Sequence, residues 1–198
     1  MEERTARMCL AATIEPGHSR VAEAVAEFGA AEVWAELVDG DQDGPLTSRA
    51  RTVTPAELVE RTARVGQRFV IPGDDEWPAR LADLAGCEPV NQLSGEPLGL
   101  WVRGGGHLGE LTARAIAVVG SRASSAYGDS VASEISADLS EGGRAVLSGG
   151  AYGIDAAAHR GCLAGRTASL AGLASGLTSR TRPATANCSS GSPRRGCW

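Results

Sequence analysis

The sequence predicts an α/β chain in which a small all-α region precedes an incomplete, doubly wound parallel sheet. Three observations carry this expectation. Over roughly the first 38 residues apolar side chains recur at helical spacing. Further on, two continuous apolar runs, AIAVVG at 115–120 and AVLSGGA at 145–151, read as strands buried on both faces. Each run leads through a glycine-bearing turn into a helical segment, and this strand–helix alternation builds parallel sheets.

The elements follow in order. In SRVAEAVAEFGAAEVWAEL, Val21, Val25, Phe28, Val33, Trp34 and Leu37 fall near helical spacing, with Gly29 between two short helices. Residues 39–52 read as a polar loop. Thr54, Pro55 and Glu57 predict a capping box with proline at the first helical position, opening a helix that runs to about Val65. Gln67 to Ile71 is a short strand, PGDDEWP a turn, ARLADL a short helix and LGLWVRG another strand. Asp74-Asp75-Glu76 reads as a solvated turn, and the tryptophans as packing residues. From Tyr127 to Glu141 a helix carries Val131, Ile135 and Leu139 at i, i+4 and i+8, and Gly142-Gly143 closes it. A further helix spans Ile154 to Leu163.

Composition excludes several classes. Apolar residues make up 42% of the 198 positions and aromatics only 4%, so alanine, glycine and valine must fill much of the core. No run reaches the ~20 apolar residues of a membrane span, and the N-terminus has no secretory signal, so a cytoplasmic protein is expected. Cys9, Cys87, Cys162, Cys188 and Cys197 form no C-x-x-C pair, which supports neither a disulfide framework nor a metal site. All 19 basic residues are arginine; without lysine a P-loop nucleotidase is excluded. The net charge of −5 is unevenly spread, because all 24 acids lie at or before Asp155 and six of the 19 arginines lie beyond it. An acidic body disfavours broad nonspecific binding to nucleic acid, so any such site must be local, built from backbone donors and a few arginines.

Two turns can carry chemistry. Gly120-Ser121-Arg122 ends the first apolar run, at the carboxyl end of a strand where open α/β sheets bind ligands. Gly120 allows close approach, Ser121 can donate to a phosphate, and Arg122 can grip one with two parallel bonds. An ordinary strand-to-helix turn fits this spacing as well. Ser148-Gly149-Gly150-Ala151-Tyr152-Gly153 ends the second run and opens a helix, so exposed N–H groups and the positive helix end would form an anion cradle. Asp155 would cap free N–H groups, and His159 follows one turn later on the same face. A glycine-rich packing turn remains open here too. Gly104 to Gly109 matches G-x-G-x-x-G but lacks a βαβ helix behind it, and reads as a linker. No catalytic constellation stands out, and no cofactor or metal is implied.

The combination G-S-R and S-G-G-A-x-G-I-D-x-x-A-H, here Gly120-Ser121-Arg122 and Ser148 through Asp155 with Ala158-His159, resembles the DNA-processing protein A (DprA/Smf) family. Upstream, Asp75, Trp77-Pro78, ARLADLAG and LGLWVRG resemble that family's aspartate, Tyr-Pro, short helix and Leu-x-Val-x-Gly strand, with tryptophan in place of tyrosine. The resemblance covers about residues 5–177. It implies a sterile-alpha-motif or helix–hairpin–helix-like domain over 1–66 and a partial Rossmann-like DNA-binding domain over 67–177. It further implies a protein that binds single-stranded DNA, protects incoming strands in natural transformation, loads the RecA recombinase, acts as a homodimer and is no enzyme. Carried over, Gly120, Ser121, Arg122, Ser148, Gly149, Gly150, Ala151 and Gly153 become the nucleic-acid contacts, and Asp155 and His159 shape the loop. The alternative class is a Rossmann-fold nucleotide phosphoribohydrolase of the lysine-decarboxylase-like type. Its loop reads P-G-G-x-G-T with a nearby glutamate, whereas this chain has Ser148 and Ile154-Asp155 there and no glutamate after Gly142.

Residues 178–198, TSRTRPATANCSSGSPRRGCW, have no acid and no apolar periodicity, and are expected to be a disordered tail read out of frame. GC-rich codons for Leu177 to Ser189, read from the third base of codon 177, give Asp-Val-Pro-Tyr-Pro-Ala-Gly-His-Arg-Glu-Leu-Leu. That string resembles the family's continuation after its third strand, including the Tyr-Pro loop otherwise missing here. The first two bases of most of these codons are fixed by the protein, so the match is not free choice. The coding DNA is expected to carry a single-base loss at or beside codon 177. An alternate frame that does not encode Asp-Val-Pro-Tyr-Pro or a close relative, or that closes before codon 198, rules this out.

Overall fold

The computed structural model describes residues 1–41, 44–91 and 93–173; the expected tail at 178–198 lies outside the described residues. The chain divides into two compact units, at Arg103/Gly104 rather than at the expected 66/67.

The first unit holds helices α1 (Glu3–Thr13), α2 (Ser19–Phe28), α3 (Ala30–Asp39), α4 (Pro45–Ala50) and α5 (Pro55–Arg64). It also holds an antiparallel pair, β1 (Gln67–Val70) with β2 (Leu100–Arg103), in which Phe69 faces Trp101 and Val70 faces Leu100. The pair belongs with the helices because its side chains enter their core. Phe69 is buried in one cluster with Met8, Leu10, Val25, Trp34 and Leu58, and Trp101 packs at its edge with ring centroids 4.7 Å from Phe69. The Trp101 indole N–H donates to Thr62 on α5 at 3.2 Å. Gly29, at φ +82°, joins α2 to α3 as expected, and the Glu3 carboxylate accepts the Ala30 N–H at the start of α3.

Three expectations are corrected here. The polar stretch 39–52 contains α4, started by Pro45 at a position where its missing N–H costs nothing. Thr54 and Pro55 do open α5, but the Thr54 side chain makes no capping bond, so the box does not form. The acidic run is no solvated turn. Arg4 on α1 grips Asp74 with two bonds of 2.6 and 2.8 Å and also donates to the Phe69 carbonyl at 2.9 Å, while Asp74 accepts the Ile71 N–H. Arg68 pairs with Glu76 through two bonds of 2.6 Å. The Trp77 indole donates to Glu96 at 2.6 Å. Trp34 and Trp77 are buried, as packing residues should be.

The second unit runs α6 (Leu108–Ala113), β3 (Ile116–Ala117), α7 (Ala126–Glu141), β4 (Val146–Ser148), α8 (Ile154–Ala164) and β5 (Ser169–Ala171). The strands are parallel in the order β3-β4-β5, pairing Ile116 with Val146 and Leu147 with Leu170. This is the expected α/β, Rossmann-like sheet, and α6 follows the glycine-rich segment that joins the two units. The third strand among the described residues, β5, lies at 169–171. The run at 115–120 is not buried on both faces: β3 is an edge strand among the described residues, and Val119 is 70% exposed.

The apolar stripe expected on α7 is also displaced. Ile135 is 50% exposed, and the buried line is Ala132, Ser136 and Ser140, one residue further along. The cause is the closeness of α8. A Cβ on Gly161 would lie 2.0 Å from the Ser133 carbonyl oxygen, and one on Gly165 would lie 2.4 Å from the Ser140 hydroxyl. Helices this close admit only small side chains between them. No helix among the described residues is long and apolar enough to cross a membrane.

Hydrogen bonds from Arg4, supported by the Ile71 N–H and opposed by desolvation, hold the Asp74 carboxyl below its ordinary range. A depressed carboxyl stabilises the fold above the ordinary carboxylate value of about 4 and loses that contribution as pH falls through the depressed one. Replacing Asp74 by asparagine should therefore cost about 1–2 kcal/mol at neutral pH. Urea melts at descending pH should show wild type and Asp74→Asn converging in acid; a difference independent of pH would deny the ion pair its role.

Candidate nucleic-acid interface

Two chain reversals meet at the carboxyl ends of β3 and β4. After β3 the chain passes Gly120, Ser121 and Arg122 before α7 begins. The Ser121 hydroxyl oxygen accepts the Ala123 N–H at 3.1 Å, which tightens the turn and leaves the hydroxyl hydrogen available. Ser125 caps α7 by accepting the Gly128 N–H at 3.1 Å, and the Ser124 hydroxyl bonds Asp129.

After β4 the chain turns twice through positive φ, at Gly150 (+68°) and Gly153 (+76°), and enters α8. Gly153 sits so close to the first turn that a Cβ there would lie 2.2 Å from the Ser121 carbonyl oxygen and 2.7 Å from that of Arg122. The Ile154 N–H donates to the same Ser121 oxygen at 3.1 Å. The Ile154 side chain then fills the space that Gly120 and Gly128 leave empty. A Cβ would approach it to 2.8 Å from Gly120 and to 3.4 Å from Gly128. Three segments, the end of β3, the first turn of α7 and the start of α8, thus converge on one isoleucine.

The expected site residues are therefore brought together, with differing roles. Gly120, Ser121, Arg122 and Gly149 are exposed. No described residue pairs with the Arg122 guanidinium, which leaves a cation open at the meeting point. Ser148 is corrected: its hydroxyl is buried and donates to the Val118 carbonyl at 2.6 Å, binding β4 to β3 instead of facing outward. The Ala151 N–H is likewise engaged, donating to Asp155 at 3.3 Å.

Asp155, 7% exposed, holds the loop from inside: it takes the Ala151 N–H, and a Cβ on Gly149 would lie 2.8 Å from its carboxylate. His159 lies below it on α8, fully enclosed. Its Nδ1 shares a bond of 2.7 Å with the Ser169 hydroxyl of β5, and its Nε2 has no partner among the described residues. Burial pushes the imidazole below its ordinary value, against the pull of the Asp155 charge, so it stays neutral at neutral pH. Two residues the sequence reading passed over also border this junction. Tyr127 in the first turn of α7 is 80% exposed, and Tyr152 between Gly150 and Gly153 is 49% exposed. Exposure, which sequence spacing does not report, is what marks them. Among the described residues no cluster of side chains could hold a metal ion.

Comparison with known proteins bears on the family and the fold. The sequence model of the family described as DNA recombination-mediator protein A matches residues 68–191. Curated proteins of two Mycobacterium tuberculosis strains, carrying the provisional name DNA processing protein DprA, are 38% identical over 174 residues, covering 85% of this chain. The chain spans 45% of their length. The X-ray structure of DNA processing protein A from Streptococcus pneumoniae aligns with a TM-score of 0.56 at 20% identity, over 85% of this chain and 57% of that one. At that identity the likeness is one of fold.

The contact at Gly153 can be weighed against Gly143, which has a similar φ of +75° and nothing within 4 Å of its missing Cβ. Gly143→Ala should cost only the backbone strain of about 1 kcal/mol. Gly153→Ala must in addition push the 121–122 carbonyls away, and should cost at least about 1 kcal/mol more. Chemical denaturation of the two variants measures this, and equal losses would mean the two turns do not depend on one another.

Proposed function

This chain belongs to the family of DNA recombination-mediator protein A, and from that premise we propose that it binds single-stranded DNA through the phosphate backbone at the ends of β3 and β4. One observation carries the reading: two glycine-rich strand ends held together around Ile154, with the unengaged Arg122 guanidinium exposed beside them. Arg122 supplies a bidentate grip on a phosphate. Ser121 has a hydroxyl hydrogen to donate, and the glycine-rich turn before α8 adds N–H groups and the positive helix end. In a chain of net charge −5 such local donors, rather than a basic face, would have to provide the attraction.

The remaining parts of the reading extend from the family. The protein acts in the cytoplasm without catalysis, protects incoming single strands during DNA uptake, passes them to the RecA recombinase, and does so as a homodimer. In this reading Ser148, Gly150, Ala151 and Gly153 serve by shaping the loop, and Asp155 and His159 support it from beneath. Arg122, Ser121 and Gly149 touch the strand.

Arg122→Ala tests the site directly. Anisotropy titrations of a fluorescent oligothymidine across a salt series should show weaker binding for the variant. The slope of log affinity against log salt should also fall by about 0.7, the loss of one phosphate contact to a single strand. Unchanged affinity and slope remove Arg122 from the interface, and no binding by the wild-type chain removes the reading.

A further inference from the structure

We propose that Tyr127 and Tyr152 are base-stacking platforms that flank the phosphate site, so that the strand is held by its bases as well as its backbone. The inference rests on the reading above and adds a second kind of contact to it. Both side chains are unusual for large aromatic groups in lying open to solvent, at 80% and 49% exposure. In the first unit Trp34, Phe69 and Trp77 are buried and Trp101 packs against Phe69, whereas Phe28 on α2 is 56% exposed. The two tyrosines are the aromatics of the second unit's described residues, and packing accounts for neither.

Their placement is specific. Tyr152 lies in the four-residue span Gly150–Gly153, whose ends are both fixed at positive φ. Its flanks are pinned as well, Ala151 by the bond to Asp155 and Gly153 by its contact with the Ser121 and Arg122 carbonyls. Tyr127 precedes Gly128, which packs on Ile154 and donates its N–H to Ser125. Each ring is thus attached to a backbone segment that touches the Ile154 junction, one on the first turn of α7 and one on the loop before α8. Arg122 issues from the third segment of the same junction. A cation beside two open rings suits single-stranded nucleic acid: the cation takes a phosphate, while an unpaired base offers a flat face to an aromatic ring. A duplex, whose bases are already stacked, offers no such face. The expected discrimination is therefore for unpaired bases of any sequence.

The test compares an oligothymidine with an abasic oligomer of the same length and charge, using the full chain. Wild type should bind the oligothymidine more tightly. Tyr127→Ala and Tyr152→Ala should each weaken oligothymidine binding by about 5- to 100-fold, leave abasic binding unchanged, and leave the salt slope unchanged. Tyr→Phe at either position should retain wild-type affinity, since stacking needs the ring and not the hydroxyl. Equal melting temperatures of the variants show that folding is intact, as exposed positions should allow. Equal binding of the two oligomers by wild type, or a preference that survives both alanine variants, overturns the stacking inference and leaves the phosphate reading standing. Failure of wild type to bind either oligomer overturns the phosphate reading, and the stacking inference with it.

Discussion

The arrangement at the strand ends depends on one close contact, that of Gly153 with the carbonyl oxygens of Ser121 and Arg122. No other residue type fits: the space admits no Cβ, and the backbone there has φ +76°, which L side chains avoid. Because the two turns touch through backbone alone, the bond from Ile154 N–H to the Ser121 carbonyl can form, and the isoleucine side chain can drop into the gaps at Gly120 and Gly128. The turn after β3 is thereby fixed to the start of α8, and the position of Arg122 relative to the Gly-rich loop is set by geometry rather than by a bond to its own side chain.

The same economy of space governs the rest of the second unit. Its helices approach so closely that glycine is needed at Gly161 on α8 and at Gly165 just past its end, facing Ser133 and Ser140 on α7. Small polar residues are then buried and must be satisfied locally. The Ser140 hydroxyl accepts from both the backbone and the side chain of Thr167, each at 2.9 Å, and so ties α7 to the segment leading into β5. The first unit is built the other way. It packs large side chains, among them Leu10, Trp34 and Phe69, and fixes its hairpin to α1 and α5 with charged and indole hydrogen bonds. Scarce aromatics in the composition thus reflect one unit packed around rings and another packed around glycine and serine.

What could be read from the sequence follows this division. The first two parallel strands, α8 and the two Gly-rich turns were legible because their signals are local: apolar runs, glycines and a helix start adjacent in the chain. Glycine at 153 announced close approach, though not what it approached. The side of α7 was not legible, since Val131, Ile135 and Leu139 make the stronger apolar stripe while the buried line is Ala132, Ser136 and Ser140. Only the nearness of α8 decides between them, and that is a tertiary fact. The partners of Asp74 and Glu76 were hidden for a related reason. Asp74 pairs with Arg4, 70 positions away, and an acidic run in isolation carries no sign of such a pair. Ser148 shows the limit within the site itself: a serine beside glycines suggests an outward donor, but its hydroxyl is spent on the neighbouring strand.

Asp155 poses a physical problem for the proposed phosphate contact, because a carboxylate at the mouth of that site would repel phosphate. The structure resolves it by burial and by a bond. Asp155 is withdrawn beneath Gly149 and accepts the Ala151 N–H, so part of its charge is answered within the loop. His159, one turn further in, stays neutral because burial outweighs the attraction of that carboxylate, and it turns its Nδ1 to Ser169. The acid is therefore used to hold the loop in shape while the only arginine of the two turns, Arg122, stands exposed. An acidic protein can in this way present a locally positive edge: its negative charge near the site is placed where it organises backbone donors, and its positive charge where a ligand would meet it first.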